Sequence, residues 1–286
     1  YKARYIKFEF AITTHIYCDE LAIYGTKQIP DDAADIVADE AEDTIYPDKY
    51  ITPDDFLGVN NMLLSYNHDP ASASGGKTTA EEYMPFVGYY DRGGKLADTF
   101  FDSFLFLPYA AFTGTEYRDF TAWNTYVDNV FAEDANINAL SEAVEQVSEG
   151  LGRDVRVSVF FSILYTFTES TSFGDIDGDG REEYTRTNDE RLAVLAWYEA
   201  EYVRRFDEAG YENLTLVGFY WYREEVNSAD SADEDGFTRQ ATALLREKGH
   251  KLLFDPFFTL ESAPLDGGQK ELLEAIAGLH LSLIHI

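Results

Sequence analysis

Continuous apolar runs alternate with amphipathic helical segments along most of this sequence, and this alternation constrains the fold more than any other feature. The apolar runs are NMLLSYN (61–67), FFDSFLFLPY (100–109), DVRVSVFFSILY (154–165), LVGFYW (216–221) and HKLLFDPFF (250–258). Strands that are apolar at consecutive positions are typical of a sheet buried on both faces. The helical pattern between them is clearest over 188–210, which ends at a glycine. The sequence therefore predicts an α/β fold with a parallel sheet.

Two parallel folds fit this pattern, a doubly wound open sheet and a (β/α)8 barrel of the TIM type. No glycine-rich phosphate-binding pattern follows any of the strands, so the nucleotide-binding open sheet loses its main support. We therefore predict an incomplete (β/α)8 barrel over residues 59–280, with about five of the eight strands. A Thr-x-x-Glu capping box from Thr78 to Glu81 predicts where the first helix begins.

Three further segments flank the predicted barrel. Residues 1–25 contain two β-rich stretches, and residues 26–58 form an acidic, proline-containing linker. The last six residues, LSLIHI (281–286), read as the translation of a sequencing adaptor, and the alternative is a short apolar strand. On the adaptor interpretation the chain is a fragment of a longer protein.

Charge and cysteine content exclude several classes of protein. The chain has 53 acidic and 22 basic residues and a net charge of −31, which argues against nucleic acids and anionic membranes as partners and favours neutral or cationic ligands. A single cysteine, Cys18, excludes an intrachain disulfide framework and a cysteine-rich zinc site. No apolar run is long enough to span a bilayer, so we expect no membrane insertion. A low cysteine content with many acidic and aromatic residues is common in secreted proteins, which favours a secreted or cell-surface location.

The carboxyl ends of the predicted strands carry acids and aromatic rings, which is the combination that sugar binding uses. In barrel proteins the functional groups lie where strands end and loops begin. Two carboxyl groups can act as general acid and as base or nucleophile, which makes Glu224 and Glu225 the candidate catalytic residues. The alternative is that these acids cap the next segment or pair with Arg223. The candidate substrate-binding residues are Tyr66, Asn67, His68, Tyr109, Tyr220, Trp221, Tyr222 and Asp255.

The stretch DIDGDGREE (175–183) resembles the first half of a calcium-binding loop. Asp175, Asp177 and Asp179 alternate and are followed by Gly180, which permits the sharp turn that such loops need. The glutamate expected at the twelfth position is replaced by Arg186. The missing ligand would have to come from Glu182, Glu183, Asp189 or Glu190, and Glu183 is our candidate. The sequence predicts a structural calcium ion here, and the alternative is a solvated acidic turn.

Three motifs resemble the secreted bacterial family known as domain of unknown function 4855: FDSFLFLPY, the spacing of Arg191 to Trp197 and Tyr198, and NLTLVGFYWYREEV. The resemblance covers most of residues 60–280 and implies a glycoside hydrolase-like barrel. The family pattern GFYW-x-x-E places its glutamate on Glu224, at the end of the fourth strand. In the largest group of barrel glycosidases that position holds the general acid/base and strand seven holds the nucleophile. Residues 1–25 resemble the end of a discoidin-like carbohydrate-binding sandwich, through Asp19, Glu20, Tyr24 and Gly25.

Two classes of function follow. The first is a carbohydrate-active hydrolase with Glu224 as the general acid/base, inactive in this chain because the second carboxylate is expected on later strands, roughly 5 to 9.5 Å from Glu224. The second is a non-catalytic glycan-binding or cell-surface module. In either class the expected partner is a glycan or polysaccharide, and the sequence does not indicate an oligomeric state.

Overall fold

The computed structural model describes residues 58–67, 76–108, 117–169, 171–224 and 233–254, together with a two-residue strand at 282–283. All of them belong to one unit, Thr52–Phe257 with Gly267–Ile286. In chain order the elements are β1 (Met62–Asn67), α1 (Ala80–Val87), β2 (Gly88–Tyr90), β3 (Leu96–Thr99), β4 (Ser103–Pro108), α2 (Phe120–Val130), α3 (Asn136–Leu151), β5 (Val157–Ile163), α4 (Asn188–Ala209), β6 (Leu214–Trp221), α5 (Glu234–Glu247), β7 (Lys251–Phe254) and β8 (Ser282–Leu283).

A parallel sheet organises these elements, in the order β1-β4-β5-β6-β7-β8. Every neighbouring pair in it is parallel. The predicted α/β class and parallel sheet are therefore confirmed, and β6 is the fourth of the five longer strands, as the sequence predicted. A small antiparallel pair, β2 with β3, lies between α1 and β4. It was not predicted, although the turn DRGGK (91–95) is typical of a connection between antiparallel strands.

Both faces of the sheet are buried. Residues of one face, such as Phe104 and Phe106 of β4, belong to the main core together with side chains from helices α1 to α5. The alternate residues Leu105 and Leu107 belong to a second cluster with Phe160 of β5. Burial on both faces explains why the strands read as continuous apolar runs in the sequence.

Strand β6 contains a bulge that changes which residues face the main core. Its register with β5 shifts so that Val159 pairs with Leu216 while Phe160 pairs with Gly218. Leu214, before the shift, and Phe219, after it, therefore both face the main core. Position 218 also lies close to β7, since a Cβ added there would be 2.0 Å from the carbonyl oxygen of Lys251. Only glycine fits this approach without moving backbone.

The helix ends predicted from caps in the sequence lie where expected, with one exception at the start of α1. The capping box of α1 is formed by Thr79 and Glu82, and the prediction of Thr78 with Glu81 was wrong by one residue. The difference comes from a tertiary contact between Thr78 and Asn136. The N–H of Thr78 donates to the side-chain Oδ1 of Asn136 at 3.0 Å, and the N–H of Asn136 donates to the carbonyl of Thr78 at 2.8 Å. Gly210 ends α4 in the left-handed conformation at φ 64°, as predicted.

Several predicted segments lie outside the described residues. They are the two β-rich stretches of 1–25 and nearly all of the linker 26–58. Strand β8 falls within 281–286, and its pairing with β7 does not test our interpretation of that segment. Across the part of the chain that the structure describes, none of the helices has the length and apolar character that a bilayer span needs.

Candidate functional site

The carboxyl ends of the parallel strands meet at one edge of the sheet, which we call the strand-end edge. The register aligns Asn67 of β1 with Pro108 of β4, and Ile163 of β5 with Trp221 of β6. The hydroxyl of Tyr222 donates to the carbonyl oxygen of Pro108 at 3.2 Å and so links the ends of β6 and β4. The structure therefore brings the predicted residues of β1 and β6 to a common edge of the sheet, beside the end of β4.

Glu224 lies in a turn at this edge and not on the strand. Strand β6 ends at Trp221, and the N–H of Glu224 donates to the carbonyl of Trp221 at 3.2 Å. The backbone of Glu224 is left-handed, with φ 56°, which is uncommon for a residue other than glycine and is found at functional sites. Its half-buried side chain accepts a hydrogen bond of 2.6 Å from the buried hydroxyl of Tyr220. The carboxylate is thus held in one position.

The predicted substrate-binding residues differ in their accessibility. Tyr66 is 43% exposed, and Tyr222 is half-buried beside the second cluster. Asn67 is buried, and its amide is bonded to Asn129 at 3.2 Å and to the Tyr126 hydroxyl at 3.4 Å. These bonds give Asn67 a structural role between β1 and α2.

Trp221 is also buried, in the main core, where its ring meets Tyr165 edge-on at 6.2 Å. Its indole N–H has no hydrogen-bond partner within the described ranges. Four of the predicted site residues, Glu225, His68, Tyr109 and Asp255, lie outside the described residues.

A buried ion pair lies next to this edge. Arg191 and Glu234 are buried and form two parallel hydrogen bonds, of 2.9 and 3.1 Å. Arg191 also donates from Nε to the carbonyl of Thr166 at 2.7 Å, and the hydroxyl of Tyr165 donates to Glu234 at 2.6 Å. The pair therefore ties the loop after β5 and helix α4 to the start of α5. Arg191 is the arginine of the family motif, and its role here is structural.

Two more arginines approach the same loop. The guanidinium of Arg118 lies 4.0 Å from the centre of the Phe167 ring, and that of Arg223 lies 5.7 Å from it. Arg223 is also 5.4 Å from the ring of Tyr165. Arg118 forms an ion pair with Glu169. Cationic and aromatic groups therefore surround the end of β5, close to the turn that carries Glu224.

The predicted calcium loop brings three carboxylates together. Oxygens of Asp175, Asp177 and Glu183 lie within 4.8 Å of one another. Asp179 does not belong to this group, and its carboxylate accepts the N–H of Arg181 at 2.8 Å. Oxygen ligands at this spacing can hold a hard divalent cation.

Backbone hydrogen bonds shape this loop. Asp175 accepts the N–H groups of Gly178 and Gly180 at 2.8 and 2.9 Å, and Glu183 accepts that of Ile176 at 2.7 Å. Arg186, at the position where a calcium loop would have its last glutamate, is bonded to Glu190 and lowers the pKa of that carboxyl. Of the acids considered for the remaining ligand, Glu183 is the one whose carboxylate lies with Asp175 and Asp177, whereas Glu190 is paired with Arg186.

The tyrosines behind the strand-end edge are strongly buried. Burial raises the pKa of Tyr83 to about 12, although its hydroxyl is bonded to Ser65 at 2.5 Å. Burial also raises the pKa of Tyr126, Tyr198 and Tyr202 well above the ordinary value of 10.0. These phenols are neutral at physiological pH and serve as hydrogen-bonding core residues.

The opposite edge of the sheet has different chemistry. A groove of about 440 Å³ lies there, before β5 and β6, and is lined by residues that include Asp154, Arg156 and Tyr211. Two of its polar side chains, Ser141 and Asn213, bond to each other at 2.8 Å. Another acid at this edge, Asp102, accepts the backbone N–H groups of Asn60 and Asn61. We therefore place the site at the strand-end edge.

The fold and this edge define an α/β protein whose parallel strands end in aromatic and carboxylate side chains. The family described as "Domain of unknown function (DUF4855)" matches residues 61–264. The chain belongs to this family. No match was found among curated proteins or among solved structures.

The arginines of this edge were not predicted from the sequence to be part of the site. Arg118 and Phe167 are far apart in the chain, and no local pattern joins them. Arg191 and Glu234 are separated by 43 residues, so their pairing also depends on the fold. Arg223 directly follows the aromatic run of β6, and this position could have indicated that it belongs to the site.

Proposed function

We propose that the protein is carbohydrate-active and of the glycoside hydrolase type, with its parallel sheet forming part of a (β/α)8 barrel and Glu224 as the general acid/base. The observation that carries this proposal is the position of Glu224, directly after the fourth strand and bonded to Tyr220. A positioned carboxyl group near aromatic rings is what protonation of a glycosidic oxygen requires. The left-handed backbone of Glu224 supports the same role, because strain of this kind is concentrated at functional sites.

Tyrosines complete the proposed site. Tyr66 and Tyr222 are accessible enough to contact a sugar ring, and both lie at the carboxyl ends of their strands. An aromatic side chain offers an apolar face and, in tyrosine, a hydroxyl that can bond to sugar oxygens.

A non-catalytic glycan-binding module is the second candidate. It is favoured by the pairing of the other carboxylates at this edge, since Glu234 is bonded to Arg191 and Glu169 to Arg118. Within the described residues, Glu224 is therefore the carboxylate best placed for catalysis. A glycoside hydrolase needs a second acid, whereas a glycan-binding module does not.

A glycan array and a hydrolysis screen separate the two candidates when they are done on a longer protein that includes this chain and the later strands expected to carry the second carboxylate. Glu224→Gln is the test variant, and Glu208→Gln, on the exposed surface of α4, is the matched control. Cleavage that Glu224→Gln abolishes and Glu208→Gln preserves supports the enzyme. Binding without cleavage supports the module. A chain that binds no glycan overturns both.

The proposal includes a structural calcium ion at Asp175, Asp177 and Glu183. The loop that they form is attached to the rest of the protein, because the N–H of Phe120 donates to the carbonyl of Phe173 at 2.7 Å. A bound cation there would neutralise three close carboxylates and hold the long connection between β5 and α4.

A further inference from the structure

An exposed group of aromatic rings lies at the edge of the sheet where the strands begin, opposite the strand-end edge. Tyr89 of β2 is 51% exposed, Phe100 is 47% exposed and Phe86 of α1 is 39% exposed. Phe101 is half-buried and packs against the main core. Phe100 and Phe101 come just before the first residue of β4, which places the group away from Glu224. We call these four aromatic residues the aromatic platform.

The rings of the aromatic platform contact one another. The centre of the Phe101 ring lies 4.6 Å from that of Phe100 and 6.2 Å from that of Phe86. The Tyr89 ring lies 6.4 Å from that of Phe100, with the two planes inclined by 67°. Backbone hydrogen bonds of 2.9 Å run from the N–H of Phe100 to the carbonyl of Val87 and from the N–H of Phe101 to that of Phe86. The exposed rings are therefore held by a half-buried ring and by the end of α1.

The other face of the β2–β3 pair fixes the aromatic platform to the protein. Leu96 of β3 packs closely between two glycines, Gly88 of β2 and Gly150 of α3, since a Cβ on either would be 2.6 or 2.7 Å from a Leu96 methyl group. Tyr89 directly follows Gly88 and therefore points to the opposite face of the pair. A ligand would meet rings that are already positioned, so that binding costs little ordering of the protein.

An ion pair beside the aromatic platform supplies polar groups. Asp98 of β3 is paired in register with Tyr89, so the two side chains lie on the same face. Arg153, just after α3, forms an ion pair with Asp98, and both side chains are more than half exposed. A guanidinium has five N–H donors, so a bond to one carboxylate oxygen leaves donors for hydroxyl groups. The surface therefore combines apolar rings with exposed donors and acceptors whose charges cancel.

The size of the aromatic platform argues against a second copy of the chain as its occupant. With about 200 Å² for each aromatic side chain, the three exposed residues offer roughly 300 Å². A stable protein interface needs about 800 Å² from each partner. The remainder would have to come from the surface of a chain with a net charge of −31, and two such chains repel each other. A small ligand fits the available area better.

We propose that the aromatic platform is a second glycan-binding surface, which takes a neutral oligosaccharide or polysaccharide. The C–H groups on the face of a pyranose are apolar and can pack on an aromatic ring, while its hydroxyl groups can bond to Tyr89, Asp98 and Arg153. A neutral glycan also avoids repulsion by the negative charge of the protein. Because the platform lies at the edge opposite Glu224, binding there does not depend on the role of Glu224.

Affinity gel electrophoresis of the 286-residue chain tests this surface, with soluble β-glucan, xyloglucan and galactomannan as neutral probes and polygalacturonate as the anionic probe. Calorimetry with oligosaccharides of the retarding polymer then measures the affinity. Tyr89→Ala and Phe100→Ala each remove one exposed ring, and Tyr89→Phe keeps the ring and loses the hydroxyl. Tyr66→Ala removes the exposed ring at the strand-end edge, and Glu208→Gln, on the surface of α4, is the control. Thermal melts establish that each variant is folded, and sedimentation velocity measures its oligomeric state.

We expect at least one neutral polymer to retard the chain, and Tyr89→Ala and Phe100→Ala should each weaken binding about tenfold or more. Tyr89→Phe should weaken it by less than about fivefold, and Glu208→Gln should leave it unchanged. No retardation by the neutral polymers, tighter binding of polygalacturonate, or self-association that Tyr89→Ala abolishes would each overturn the proposal. Retardation that only Tyr66→Ala removes would also overturn it, while placing glycan binding at the strand-end edge in agreement with the proposed function.

Discussion

Replacing Arg191 with methionine should destabilise the protein strongly, because it leaves the buried carboxylate of Glu234 without its cation. Both side chains are buried, and the pair is held by two hydrogen bonds. After the substitution Glu234 would retain the bond from Tyr165. Breaking a buried pair by removing one partner costs about 3 to 5 kcal/mol. Since a domain is typically stable by about 5 to 15 kcal/mol, this is a large share of the total.

Urea unfolding followed by circular dichroism measures this loss. With an m-value of about 2 to 3 kcal/mol/M, the midpoint should fall by about 1 to 2.5 M. The matched control is Arg204→Met, whose ion pairs are exposed and should contribute less than about 1 kcal/mol. The double variant Arg191→Met with Glu234→Met should recover much of the loss, because apolar residues of similar volume often replace a buried pair at little cost.

The outcome that would refute this reasoning is specific. If Arg191→Met costs no more than the Arg204 control, the pair does not hold α4 and α5 to the loop after β5. If the losses of the two single variants simply add in the double variant, the two residues do not act as a pair.

Three further predictions concern other parts of the molecule. Calcium at about 100 times its dissociation constant should stabilise the protein by about 2.7 kcal/mol in a thermal melt; Glu183→Gln should weaken this effect, and equal stabilisation of both proteins would exclude Glu183 as a ligand. Gly218→Ala should lower the free energy of unfolding in urea by at least about 1 to 3 kcal/mol, because the added Cβ would overlap the Lys251 carbonyl. The control Thr215→Ala, at an exposed position of the same strand, should be nearly neutral. An equally small loss for Gly218→Ala would contradict the close approach. Burial raises the pKa of Tyr83 to about 12, so the stabilisation from its neutral form is complete below pH 10 and about 3 kcal/mol should be lost as the pH rises to about 12. Alkaline unfolding measured for Tyr83→Phe should lack this component, and an unchanged pH dependence would contradict it.

Much of the fold could be predicted from the sequence because its signals are local. Continuous apolar runs and helical periodicity depend on neighbouring residues, and they identified the first five strands of the parallel sheet and the helix α4 that ends at Gly210. The error at the start of α1 shows the limit of such signals. TTAEE (78–82) contains two overlapping capping boxes, and the choice between them depends on Asn136, more than 50 residues later.

The site was predictable in part for the same reason. Glu224 and its strand-end position follow from the motif at the end of β6. The hydrogen bond from Tyr220 does not, because it depends on a turn in which Glu224 has a left-handed backbone. Trp221 could not be recognised as a core residue from alternation, because the bulge in β6 changes the facing of every residue after it.

That bulge has a consequence for how this family can vary. Because β6 gains one residue near Val217, Phe219 and Trp221 face the helices, while Tyr220 faces the other way and reaches Glu224. Deleting one residue between Leu214 and Gly218 would exchange the two sets and turn Tyr220 towards the helices without any site residue being mutated. We therefore expect the length of this strand to be under as much selection as the identity of its glutamate.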